Sequence, residues 1–259
     1  MNSRITRKFK DIRRKNGKAF IPYIMAGHPD IQRTRELITI LEDCGADIIE
    51  LGVPFSDPLA DGPTIQRAAQ RALDEGVTLK KVIELVAELR LTSQIPIILM
   101  TYYNPVYKYG EERFAHDAAA AGVDGIIVPD LPPDEADNLI TYSRKSGLDT
   151  IFLLAPTSTD SRIQKVSRAS SGFIYYVPIT GITGSKLSLD ASIESHMARI
   201  RKVTDKPVAV GFGISTPEEA SAISRFADGV IVGSAIVKRV EDPEEELRSY
   251  LLSLRNAIQ

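Results

Sequence analysis

The sequence predicts an α/β protein, a (β/α)8 TIM barrel, from three observations. Eight short apolar runs rich in Ile and Val recur along the chain, amphipathic segments separate them, and the length of 259 residues suits one such barrel. Short, continuously apolar runs are the mark of parallel strands buried on both faces. A long doubly wound sheet would show the same alternation. Against it, the first strand leads into AGHPD and not into the glycine fingerprint of a dinucleotide fold. No linker, low-complexity stretch or long charge block divides the chain, so residues 1–259 are expected to form a single domain.

The elements follow in order. In MNSRITRKFKDIRRKNGK, Ile5, Phe9 and Ile12 recur at helical spacing, which predicts an N-terminal capping helix over one end of the barrel. Strands are predicted over Ala19–Met25, Asp47–Gly52, Ile97–Thr101, Gly125–Val128, Thr150–Leu154, Phe173–Val177, Val208–Gly211 and Gly229–Val232. Helical segments lie between them, among them Ile31–Leu41, Leu79–Leu91, Asp134–Ser146 and Pro217–Phe226. Thr216-Pro217-Glu218-Glu219 reads as a helix start, with Pro at the first position and acids in the first turn. Gly122 and Gly147 stand where helices should stop. After the last strand, Gly233-Ser234-Ala235 opens a short extra helix before the final one.

Composition removes several function classes. A net charge of −2 gives no footing for nucleic acid or an anionic membrane surface. No apolar run is long enough to span a membrane, and the basic N-terminus has no apolar core of a secretory signal, so the cytoplasm is expected. The one cysteine, Cys44, excludes an internal disulfide and reads as a core residue. The three histidines, His28, His116 and His196, are far apart, and no His/Asp/Glu set gathers at strand ends to hold a metal. No lysine ends a strand where a Schiff base would form, and Lys186 is expected in a mobile loop.

The chemistry should sit at the C-terminal ends of the strands. Glu50 interrupts the second apolar run, in IIELGVPFSDPLADGP. Side chains alternate along a strand, so Ile48, Glu50 and Gly52 share one face. If that face looks inward, the carboxylate lies in an apolar mouth and its pKa rises toward neutrality, as a proton shuttle needs. Asp61 and Asp57 lie on the following loop, where a solvated turn residue is the ordinary reading. Three late loops carry a phosphate signal: PITGITGSK with Gly184, GFGIS with Gly213, and VGSAIV with Gly233 and Ser234.

IELGVPFSDPLADGP, together with GFGIS and VGSAIV, resembles the alpha subunit of tryptophan synthase, and the resemblance runs from IPYIMAGHPD to the helix after VGSAIV. It implies a lyase that cleaves indole-3-glycerol phosphate by retro-aldol chemistry to indole and glyceraldehyde 3-phosphate, in tryptophan biosynthesis. Glu50 matches the family's catalytic glutamate and Asp61 its loop aspartate, which holds the indole N–H. Tyr175 matches a tyrosine near the substrate. Phe20 and Phe212 match pocket-lining residues. Gly184, Gly213, Gly233 and Ser234 match the phosphate cradle. The resemblance also implies a pyridoxal-phosphate beta subunit as partner in an alpha2-beta2 complex. Asp57, Asn104 and Pro105 match the docking face, and the cofactor belongs to the partner alone. Some relatives carry a serine and an arginine in the late loop where Pro178 and Ile179 stand here, so no arginine contact is expected from it. Three readings stay beside this one: a barrel acting on another phosphate, indole production without a partner, and a silent binding subunit.

Overall fold

The computed structural model describes residues 3–178, 186–211 and 213–258, with residues 186–192 described by backbone alone. Among the described residues, nine parallel strands form one sheet: β1 (Ala19–Met25), β2 (Ile49–Gly52), β3 (Ile97–Met100), β4 (Gly125–Ile127), β5 (Asp149–Ile151), β6 (Leu153–Leu154), β7 (Ile174–Tyr176), β8 (Val208–Gly211) and β9 (Gly229–Val232). Their order is β5-β4-β3-β2-β1-β9-β8-β7-β6. The two outermost strands of that order are consecutive in the chain, separated only by Phe152, so the sheet curls into a barrel.

The predicted strand Thr150–Leu154 is thus two strands. Serine hydroxyls replace the ladder at the join. Phe152 N–H donates to Ser170 Oγ at 3.3 Å and Thr150 N–H to Ser171 Oγ at 3.0 Å. β5 then pairs with β4, and β6 with β7. The predicted helix Asp134–Ser146 is likewise a 3-10 turn, Pro133–Glu135, followed by a helix over Asp137–Ser146. Lys186, expected in a loop, opens the helix Lys186–Arg201. The expected caps are present. Thr216 and Glu219 form a reciprocal capping box, and Gly147 ends its helix at φ +82°. Cys44 is buried, as its position at a helix end predicted.

Strand alternation sorts the apolar side chains into two layers. Ala19, Ile21, Ile48, Ile98, Ile127, Ile151, Phe173, Ala209 and Ile231 fill the barrel interior. Ile49, Leu51, Ile97 and Leu99 face the helices. The N-terminal helix, Arg4–Arg14, plugs the barrel floor by adding Ile5 and Phe9 to the interior cluster. Phe9 stacks on Phe173 with ring centroids 5.6 Å apart, and Arg4 ties the helix to Asp124 at 3.0 Å. Phe9→Ala should therefore cost about 3 kcal/mol or more. A chain of this size should then melt on the order of 5–10 °C lower. An unchanged melting curve would show that the helix is not part of the core.

Candidate active site

β2 places Glu50 on the same inward face as Ile48, one step above that core residue. Glu50 is 1% exposed, and neither carboxylate oxygen has a hydrogen-bond partner among the described residues. Burial, and then the nearby charge of Asp61, push its pKa up to about 8. A carboxyl group held near neutrality can both give and take a proton at physiological pH.

Asp61 comes from the loop between β2 and the helix Pro63–Asp74. Its pKa is raised by burial, while a hydrogen bond from Tyr102 opposes the rise. The same Tyr102 hydroxyl accepts the Ala60 N–H at 3.0 Å, and its ring lies 5.4 Å from that of Phe55. Tyr102 thus clamps the loop at both ends and holds Asp61 toward the mouth. Asp130, three residues after β4, accepts the Tyr103 N–H at 2.9 Å and fixes the start of the helix Tyr103–Tyr109.

Two tyrosines cross the interior over glycines that make room for them. Tyr175 projects inward from β7, and a Cβ on Gly211 would lie 2.7 Å from its hydroxyl. Tyr23 pairs in register with Glu50 across β1 and β2, and a Cβ on Gly52 would run into its hydroxyl. Burial raises the pKa of both phenols, with Asp61 and then Glu50 adding to that of Tyr23 and Glu50 to that of Tyr175.

Phe20 does not join them. It is fully buried and belongs to the layer between strands and helices. It stands three residues from Tyr23, an odd step along a strand, so its side chain points to the opposite face. The aromatic ring that β1 brings to the mouth is Tyr23.

On the other side of the mouth, Gly213 follows β8 with φ +72°, a conformation that glycine adopts without strain. Gly233 caps the short helix Ser234–Val237 after β9. A Cβ on Gly233 would stand 3.6 Å from the Tyr23 ring, so this turn adjoins the tyrosine that pairs with Glu50. Tyr250 donates its hydroxyl to Ser215 O at 2.9 Å and steadies the loop after β8. Gly184 and Phe212 lie outside the described residues.

Asp57 and Asn104 are exposed and Pro105 is half-buried. Their two segments meet through the Phe55–Tyr102 contact. Leu59, two residues beyond Asp57, is 83% exposed, and Tyr107, on the helix Tyr103–Tyr109, is 65% exposed. Among the described residues, no group of three His, Cys, Asp or Glu side chains could hold a metal, and no helix is long and apolar enough to cross a membrane.

Tyr23 and Tyr102 carry contacts that sequence reasoning missed. Tyr23 had a faint signal, two residues beyond Ile21 on one strand face. Tyr102 follows the third predicted strand, but nothing local shows that it reaches a loop 42 residues away.

Residues 9–258 match the family model of the tryptophan synthase alpha chain. The tryptophan synthase alpha chain of Geobacter sulfurreducens is 50% identical over 261 residues, covering 99% of each chain. That of Microcystis aeruginosa is 48% identical, covering 98% of this chain and 99% of the other. A crystal structure of tryptophan synthase subunit alpha from Legionella pneumophila superposes with a TM-score of 0.91 at 39% identity, covering 99% of this chain and 98% of that one. With motif, fold and full-length similarity in agreement, the chain belongs to the tryptophan synthase alpha chain family.

Proposed function

We propose that Glu50 and Asp61 carry the family's alpha reaction in this chain, the cleavage of indole-3-glycerol phosphate to indole and glyceraldehyde 3-phosphate. The indole ring is its own electron sink. Glu50 protonates C3, and the ring nitrogen takes the positive charge of an indolenine. The C3–C1′ bond then breaks. Its electrons restore the ring, the C1′ hydroxyl becomes the aldehyde, and the hydroxyl proton returns to Glu50. One proton is given and one is taken, so the carboxyl group ends as it began. Asp61 accepts the indole N–H and stabilises the nitrogen's charge. The glycines after β8 and β9, with Ser234, receive the phosphate.

The observation that supports this reading best is Glu50, buried in the mouth without a hydrogen-bond partner among the described residues, with Asp61 near enough to raise its pKa. We further read residues 1–259 as one domain acting in the cytoplasm and holding no cofactor. Its partner is a pyridoxal-phosphate beta subunit in an alpha2-beta2 complex, which takes up the indole. Asp57, Asn104 and Pro105 form part of the docking face, with Leu59 and Tyr107 as its apolar centre. The test is indole release from indole-3-glycerol phosphate, measured with and without a beta subunit. Release that the partner accelerates is the expected result. A chain inert in both conditions would overturn the reading.

A further inference from the structure

Tyr23 spans the floor of the mouth. Its ring rests against Gly233 on one side, and its hydroxyl reaches across to Gly52 on the other. Gly52 and Glu50 are two residues apart on the inward face of β2, so their Cβ positions are separated by about 6.6 Å along the strand. A phenol oxygen seated over Gly52 therefore lies within reach of a turned Glu50 side chain. Two observations show that this placement is specific. The register sets Tyr23 directly beside Glu50, and only glycine at 52 leaves room for the hydroxyl. Meanwhile the Glu50 oxygens are buried and unpartnered among the described residues. Burying a carboxylate without a donor is costly, and the cost arises in the step where Glu50 has given its proton away.

We propose that the Tyr23 hydroxyl is the hydrogen-bond donor to Glu50 in its ionised form, which makes Tyr23 a positioning residue for the proton shuttle. The proposal rests on Glu50 as that shuttle. Among the described residues, four titratable groups bear on the site: Tyr23 from β1, Tyr175 from β7, Asp61 from the loop after β2, and Tyr102 from the loop after β3. Asp61 opposes ionisation of Glu50 by its own charge. Tyr102 is engaged with the Asp61 loop. Tyr175 has its hydroxyl seated over Gly211 of β8, and Glu50 is the charge that bears on it. Tyr23 is the phenol whose hydroxyl is aligned with Glu50 on an adjacent strand.

The test reads Glu50 directly. Carboxyl-carbon NMR of glutamate-labelled chain, with the Glu50 resonance assigned by its loss in Glu50→Gln, gives its titration midpoint. The wild type, Tyr23→Phe and Tyr175→Phe are compared, with thermal melts to establish folding. Removing a donor to the ionised form should raise the midpoint in Tyr23→Phe by about one pH unit. The matching limb of the pH–rate profile should move with it. A midpoint unmoved in Tyr23→Phe, or moved only in Tyr175→Phe, overturns the proposal. Indole release by the same wild-type sample separates the two readings. An inert wild type with a Tyr23-dependent midpoint overturns the function but leaves the contact standing. An active one with an unmoved midpoint does the reverse.

Discussion

Glu50→Gln should reduce indole release on the order of 10³-fold, the scale of a positioned general acid and base. The substitution keeps volume and shape but removes the exchangeable proton. In the proposed mechanism Glu50 acts on C3 and on the C1′ hydroxyl in the bond-breaking step, so kcat and kcat/KM should fall together while substrate affinity holds. Full activity in the variant would exclude Glu50 from the chemistry.

The same substitution should stabilise the fold at alkaline pH. An unfolded Glu50 titrates near the ordinary 4.5, while burial raises it to about 8 in the folded chain. Below pH 4.5 both states hold the proton, and Glu50 contributes no pH dependence. Between 4.5 and 8 the unfolded chain releases it and the folded chain keeps it, so stability falls as pH rises. At about 1.4 kcal/mol per pH unit the full cost above pH 8 is about 5 kcal/mol. Asp61, also raised by burial, adds a contribution of the same sign. Urea unfolding of both proteins at pH 5 and pH 8.5 isolates the Glu50 term. The variant should gain several kcal/mol on the wild type across that interval. Parallel curves would mean that Glu50 is not buried as an acid.

The parts of this fold that were legible in the sequence are those governed by burial alone. Ala19–Met25, Val208–Gly211 and Gly229–Val232 coincide with β1, β8 and β9 residue for residue, because a strand covered on both faces is an unbroken apolar run. The same property hid which face is which. In Ala19-Phe20-Ile21-Pro22-Tyr23 both faces are apolar, so alternation puts Phe20 and Tyr23 on opposite faces without telling which face looks inward. Only the register with Glu50 does. β2 was readable because a charged residue marked its inner face. The split at Phe152 depends on hydroxyls of Ser170 and Ser171, eighteen and more residues away. The helix Tyr103–Tyr109, absent from the predicted segments, carries Pro105 in its first turn, where the missing N–H has no intrahelical partner. What escaped in each case is a contact made across the barrel and not along the chain.

Asp61→Asn should reduce kcat by about 10²- to 10³-fold, the usual cost of removing one electrostatic stabiliser from a transition state. The asparagine can still accept a hydrogen bond from the indole N–H through its amide oxygen, so binding should change far less than turnover. What it cannot supply is the negative charge opposite the indolenine nitrogen. That separates its role from that of Glu50, whose loss stops proton transfer itself. The position of Asp61 depends on Tyr102, through its hydrogen bond to the aspartate, the Ala60 N–H and the ring contact with Phe55. Tyr102→Phe keeps the ring contact and loses both hydrogen bonds, so it should cost part of the Asp61 effect and little further in an Asp61→Asn background. Single-turnover and steady-state rates on the four proteins of that cycle decide it. Additive losses would place Tyr102 and Asp61 in separate roles. A loss below tenfold in Asp61→Asn would mean that the charge on the nitrogen is met elsewhere, leaving Glu50 to work without a carboxylate partner.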